Sequence, residues 1–222
     1  MTEEYEGEAR LLVVQDTLRA EGDGNWVKLK GSKRGELVIC DFFTQMVMEG
    51  RGFQVTLGTI TTPAVGLTAI TDTGSEMCAD APSGTTMIPV FCNISIRLNA
   101  KTLLEGGIKS VASASTAGTV FVPLPLLTNS AVAAVCTARA QEAGACTVAA
   151  EAVTTTRRHY ALANPIGANT AGYEMAEFNW QPRVPPVLPG VACIYVQMAA
   201  DTTGPSYYAH LDWIELPTIN IS

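Results

Sequence analysis

Between Pro82 and Asn99 the chain reads PSGTTMIPVFCNISIRLN, and this run constrains the fold more than any other. Counting by twos puts Ile88, Val90, Cys92, Ile94, Ile96 and Leu98 on one face and Met87, Pro89, Phe91, Asn93, Ser95 and Arg97 on the other. Successive side chains of a strand point to opposite sides, so alternation of this length marks a half-buried antiparallel strand. The first face is core. The second begins with three apolar residues, Met87, Pro89 and Phe91, and on an outward face such a patch needs a cover. Pro89 has no amide hydrogen to give a ladder, which places the strand at a sheet edge or starts it beyond the proline.

Other segments repeat the signal. GELVICDFF (35–43) reads as a strand with a continuous apolar centre, EGRG (49–52) as a turn, and FQVTLGTI (53–60) alternates Phe53, Val55 and Leu57 against Gln54 and Thr56. Residues 61–86 are rich in Thr, Gly and Pro and read as a loop with room for one short strand near 67–71. A strand over 119–122 is stopped by Pro123 and Pro125. The stretch 131–158 admits two readings. Its alanines favour a helix over 131–143, whereas the β-branched VTTT run and the neighbouring strands favour a hairpin, 131–139 turning through 141–145 into 146–156. The hairpin is the reading adopted. Strands at 173–180, 191–200 and 207–216 follow, with a proline-stiffened connection over 181–190. Helix-crossover spacing is absent, which excludes a parallel α/β sheet. The expected fold is all-β, a two-sheet antiparallel sandwich, with a jelly roll the arrangement that suits this number of strands. Residues 1–34 read as an N-terminal arm and linker, and 35–222 as the sandwich domain.

Charge narrows the functional classes. Only 16% of the 222 residues are charged, against roughly 25% in ordinary soluble domains, which suits large sheets and extensive subunit contacts. A net charge of −7 argues against a nucleic-acid-binding surface. A net −5 of it sits in residues 1–24, where Glu3, Glu4, Glu6, Glu8, Asp16, Glu21 and Asp23 face only Arg10 and Arg19. Lys28, Lys30, Lys33 and Arg34 follow, a basic cluster that could pair with the acids within one chain or between neighbours. The apolar block Leu11, Leu12, Val13 and Val14 needs a docking place. No apolar run has the roughly 18 residues of a membrane helix, and the acidic start is unlike a secretory signal, so synthesis in a cytoplasm is expected.

Motifs that carry chemistry are missing. No phosphate-binding loop, zinc-protease or nucleophile-elbow pattern occurs, and none of the six cysteines has zinc spacing, so neither a metal nor a cofactor is expected. Cys40, Cys92 and Cys193 lie within strand patterns as small buried hydrophobes. Cys136 and Cys146 flank a turn and could approach one another, though a cytoplasm would keep them reduced. Histidine is the commonest general base, and only His159 and His210 exist. In YYAHLDWIEL, Tyr208, His210 and Asp212 share one face of a strand and Trp213 the other; with Trp180 they form the alternative ligand face. Arg157, Arg158, His159 and Tyr160 could grip a carboxylate or phosphate. Glu174 with Glu177, and Asp212 with Glu215, are each three apart and so fall on opposite strand faces, which counts against an acid–base pair. Tyr173, Phe178, Trp180, Tyr207, Tyr208 and Trp213 are the aromatics from which a sugar platform could be built.

An acidic arm before one weakly charged β-sandwich resembles the jelly-roll structural proteins of bacteriophage virions, the cement, decoration and minor capsid proteins. RGELVICDFF (34–43), RGFQVTLGT (51–59) and SGTTMIPVFCNISI (83–96) carry the likeness. The resemblance implies a non-enzymatic protein of the virion. It implies a homo-oligomer, a trimer by preference, bound to other virion proteins through loops and arm, without direct contact to nucleic acid or membrane. Interface residues would be Leu11, Leu12, Val13, Val14, Met87, Pro89 and Phe91. The alternative is a receptor- or glycan-binding module of a tail, using Trp180, Tyr208, His210 and Asp212.

Overall fold

The computed structural model describes residues 10–12, 26–28, 41–98, 103–141, 146–163, 177–200 and 204–220. Two short strands, β1 (Arg10–Leu12) and β2 (Trp26–Lys28), pair antiparallel with each other. Helix α1 (Phe42–Met48) follows, then β3 (Gly52–Leu57), β4 (Ala64–Val65), β5 (Gly74–Ser75), β6 (Met77–Ala81), β7 (Thr85–Leu98) and β8 (Leu103–Val111). The next connection carries β9 (Thr119–Phe121), β10 (Leu124–Pro125), β11 (Thr137–Ala140) and β12 (Cys146–Thr147). The chain closes with β13 (Thr154–Ala163), β14 (Glu177–Trp180), β15 (Leu188–Pro189), β16 (Ala192–Ala200) and β17 (Ser206–Pro217).

The fold is all-β, with two antiparallel sheets packed as a sandwich. One has the order β10-β3-β17-β7-β14, with β15 on β7 and β4 on β17; the other runs β13-β8-β16-β6-β11-β9. A single apolar cluster fills the space between them. Phe53, Val55, Leu57, Met87, Ile94, Leu211 and Trp213 come from the first sheet, and Met77, Ala79, Leu104, Ile108, Ile194 and Met198 from the second. Eight strands make the frame: β3, β6, β7, β8, β13, β14, β16 and β17. Numbered one to eight along the chain, they stand as 1-8-3-6 in one sheet and 2-7-4-5 in the other. The β8–β13 connection adds β10 beside β3 and β11 with β9 beside β6, so it covers the same edge of both sheets.

The long run from Thr85 to Leu98 is strand β7, and its faces differ from simple alternation. Asp212 lies opposite Phe91 while Trp213 lies opposite Pro89, so Val90 is an extra residue, a β-bulge. The bulge reverses parity. Met87 and Pro89 are buried, and Met87 joins Cys92, Ile94 and Ile96 in the inter-sheet core. Ile88 and Val90 turn outward and meet Met46 and Val47 of α1 together with Ile214 and Leu216. Pro89 therefore sits inside a central strand and not at an edge. The bulge and a gap in pairing, where β14 ends opposite Cys92 and β15 begins opposite Met87, remove the need for its missing donor.

Several other expectations change. Phe42 and Phe43 begin a helix, because Asp41 caps it by accepting hydrogen bonds from Phe43 N and Thr44 N, both at 3.0 Å. Residues 35–40 lie outside the described residues. Helix α1 crosses the sheet at Gly52, where a Cβ would stand 2.7 Å from Val47 Cγ2. Strand β6 was expected to be loop. Among the described residues of 131–143 there is no helix, and β11 and β12 do not form a hairpin: β11 pairs β6 and β9, and β12 pairs β5.

Candidate functional site

The expected face of β17 exists. Tyr207, Ala209, Leu211 and Trp213 are buried in the core, while Tyr208, His210 and Asp212 project from the outer side of the seven-stranded sheet. Register then assembles rows that no single segment reveals. Thr56, His210, Asn93 and Asn179 stand directly opposite one another across β3, β17, β7 and β14. Gln54, Asp212 and Phe91 form the row on one side of these, and Tyr208, Ser95 and Glu177 the row on the other.

The rows are wired by hydrogen bonds. Thr56 Oγ1 lies 2.9 Å from His210 Nδ1. His210 Nε2 approaches Asp212 Oδ1 to 2.7 Å, yet that oxygen has no aligned donor, so the contact is a close approach and not a directed bond. Asn93 Nδ2 donates to Asn179 Oδ1 at 2.7 Å and also to Glu177 Oε1, and Ser95 Oγ donates to Asn93 Oδ1 at 3.0 Å. The Phe91 ring tilts against His210, with centroids 6.1 Å apart. The face thus offers fixed donors and acceptors beside two aromatic rings, Phe91 and Tyr208. Thr56, His210 and Asp212 form the series hydroxyl, imidazole, carboxylate, but on an open sheet surface. The apolar cleft of about 200 Å³ lined by Phe53, Val132 and Leu216 contains none of them. In that cleft Glu215 is already engaged, accepting from Val135 N at 2.8 Å, Cys136 N at 3.1 Å and Trp213 Nε1 at 2.9 Å.

The other named residues are dispersed. Trp180 is 7% exposed and belongs to the core, so it is not on the face with Tyr208, His210 and Asp212. Phe178, Tyr207 and Trp213 also face inward, which leaves Tyr208 as the outward member of the expected aromatic platform. Tyr173 and Glu174 lie outside the described residues, as do Val13 and Val14. Leu11 and Leu12 are in β1. Arg158 and His159 are exposed on the edge strand β13, and Arg158 lies over the Tyr160 ring at 5.7 Å. Of the patch Met87, Pro89 and Phe91, only Phe91 remains on the outer side, half-buried.

Exposed apolar side chains occur instead where sequence periodicity gave no warning. Helix α1 shows Phe42, Phe43 and Met48 to solvent, and the β8–β13 connection shows Val120, Val122 and Leu124. The aspartate before Phe42 was the available sign that this segment turns helical and presents a different face.

The six-stranded sheet is covered on the outer side of its central strands, around β6 and β16. Segments 112–117 and 146–149 lie over it, joined by a bridge between Thr116 and Thr147. Beneath them Cys78, Cys146, Cys193, Val111, Val148 and Tyr195 form a second buried cluster. Asp80 anchors the cover, accepting from Ser115 N at 2.7 Å and Ser115 Oγ at 2.6 Å. Arg139 Nε is 3.5 Å from Asp80 Oδ2, a charge contact without hydrogen-bond alignment. Nearby, burial raises the Glu76 carboxyl from its ordinary 4.5 to about 7, even though Leu67 N donates to it at 3.0 Å and Tyr207 OH lies at 3.4 Å. Cys146 has Cys78 as its neighbour and not Cys136, which sits in the core beside Glu215.

No family model matches the chain, and neither a curated protein nor a solved structure matches it.

Proposed function

We propose that this protein is a non-enzymatic structural component of a virion that associates with copies of itself and with other virion proteins. The observation that carries the reading is the strand order: 1-8-3-6 facing 2-7-4-5 is the connectivity we read as a jelly roll, a frame used by viral capsid and lectin domains. Fold alone does not fix function. Two further features support the choice: the low charge of the chain, and the apolar side chains of α1 and of the β8–β13 connection that its own core leaves uncovered. These replace Met87 and Pro89 as the surface a neighbouring subunit would cover. Light scattering on the full chain tests the reading. A defined oligomer is expected, and Met48→Glu or Phe42→Glu should loosen it without unfolding the protein, since both side chains are exposed in the monomer. A monomer at every concentration, with no affinity for particles, overturns it.

A second reading, a glycan- or receptor-binding module, is favoured by the outer rows of β3, β17, β7 and β14. Ordered polar groups beside Phe91 and Tyr208 suit a hydroxyl-rich ligand. Saturable binding in a glycan panel, weakened by His210→Ala or Tyr208→Ala, is the expected result; flat titrations remove this reading.

A further inference from the structure

We propose that Cys78 and Cys146 are a disulfide-forming pair that clamps the β8–β13 connection onto the outer face of the six-stranded sheet. The two sulfurs are 2.8 Å apart, buried, and 68 residues apart in sequence. A covalent bond would bring them to about 2.05 Å, so closure needs a shift of well under 1 Å. Both are free thiols in this structure.

The surroundings favour this pair over the others. Cys78 lies on β6 and Cys146 on β12, a short strand held by its two-residue pairing with β5, by the Thr116–Thr147 bridge and by Val148 N donating to Thr73 O at 2.8 Å. A bond between them therefore joins the sheet to its cover. Cys193 shares the cluster but sits opposite Asp80 on the adjacent strand β16, diagonal to Cys78. A bond there would add nothing to a ladder that already exists. Among the described residues no group of three His, Cys, Asp or Glu side chains is arranged to hold a metal ion, so the cluster is not read as a metal site. Gly118, at φ +77°, keeps the approach open, since a Cβ there would stand 3.1 Å from Cys146 Cβ.

The oxidant is a small disulfide such as oxidised glutathione. One cysteine loses its proton to solvent and its thiolate attacks a glutathione sulfur, expelling a glutathione thiolate. The second thiolate then attacks the cysteine sulfur of that mixed disulfide and expels the other glutathione. Two cysteine thiols are oxidised, one glutathione disulfide is reduced to two thiols, and the two protons end on the departing glutathiones. Contact with Cys78 and then burial raise the Cys146 thiol. For Cys78, the hydrogen bond from Cys146 lowers it, but Cys193 and burial outweigh this and raise it. The thiolate is the reactive form, so the folded, sealed pair reacts slowly, and the bond forms fastest while the cover is still docking.

The test is refolding of the denatured, reduced full-length protein in a glutathione redox buffer, followed by alkylation and peptide mass mapping. All six cysteines then have access to oxidant, and native geometry selects the pairing. The expected product is a peptide linking Cys78 to Cys146, with a Tm roughly 5–15 °C above the reduced protein that returns to the reduced value with dithiothreitol. Cys193→Ser should keep both results, and Cys146→Ser should lose both. A folded product with all six cysteines still alkylated, or with Cys40, Cys92, Cys136 or Cys193 in the bond, overturns the proposal. Mapping of the natural sequence decides the matter even if a variant fails to fold.

Discussion

The sandwich has two outer faces, and the chain treats them in opposite ways. The outer face of the seven-stranded sheet is covered at one end by α1 and left open elsewhere, with Thr56 bonded to His210, and Asn93 to Asn179, Glu177 and Ser95, along and between its rows. That of the six-stranded sheet is covered over its central strands by 112–117 and 146–149, where Cys78, Cys193 and Tyr195 are buried as deeply as residues between the sheets, while Glu105, His159 and Val120 stay exposed toward its edges. An antiparallel sheet can leave one face wet. Sealing the second outer face requires the chain to supply a third layer, which here is the long β8–β13 connection. The open face is thus the one exposed to solvent, and the covered one adds to the buried core.

A matched pair of tyrosines gives the largest expected contrast. Tyr195 is 1% exposed on the sealed face, and Tyr208 is half-buried on the open one. Tyr195→Ala should cost about 3–5 kcal/mol in urea unfolding, and Tyr208→Ala about 1 kcal/mol or less. Equal losses would mean that the cover does not seal.

Glu76 gives a pH-dependent effect of about 3 kcal/mol at most. Its folded pKa of about 7 stands above the ordinary 4.5, so between those values the folded protein holds more protons than the unfolded chain. Stability should fall as pH rises through that window and level off above it. Glu76→Gln should match the natural protein at pH 4 and exceed it at pH 8. A variant less stable at pH 8 would show that the carboxylate is paired and not merely desolvated.

Asp80→Ala removes two hydrogen bonds that hold Ser115 and with it the cover, an expected loss of about 2 kcal/mol. Faster amide exchange should appear at 112–117 and 146–149 while β3 and β17 stay protected. Uniform loss of protection would contradict a separable third layer. The smallest effect is expected at His210→Ala, under about 1 kcal/mol, because its contacts lie on the open face. A larger loss would place that row among the supports of the fold.

How much of this was legible depends on how local the cause is. The core faces of β3 and β17 follow from alternation within each segment, and the outward Tyr208, His210 and Asp212 with them. Strand β6, MCADA, gave no alternation because both of its faces are buried, Met77, Ala79 and Ala81 inward and Cys78 and Asp80 under the cover. The helical start at Phe42 had a local sign in Asp41, outweighed by the apolar residues before it. Trp180 was misplaced because the register of β14 against β7 sets its face.

By itself the sequence determined the all-β class and which face of a regular strand is apolar, since both come from the two-residue period of the backbone and the dislike of apolar groups for water. Tertiary structure decided whatever needed two distant segments at once. The bulge at Val90 turns Met87 inward because β17 fixes the pairing on either side of it. The meeting of Cys78 with Cys146, and the row Thr56–His210–Asn93–Asn179, exist because sheet register and the returning β8–β13 connection bring these residues together. Pairing register is a property of the whole sheet, set by long-range contacts, and no single segment carries it.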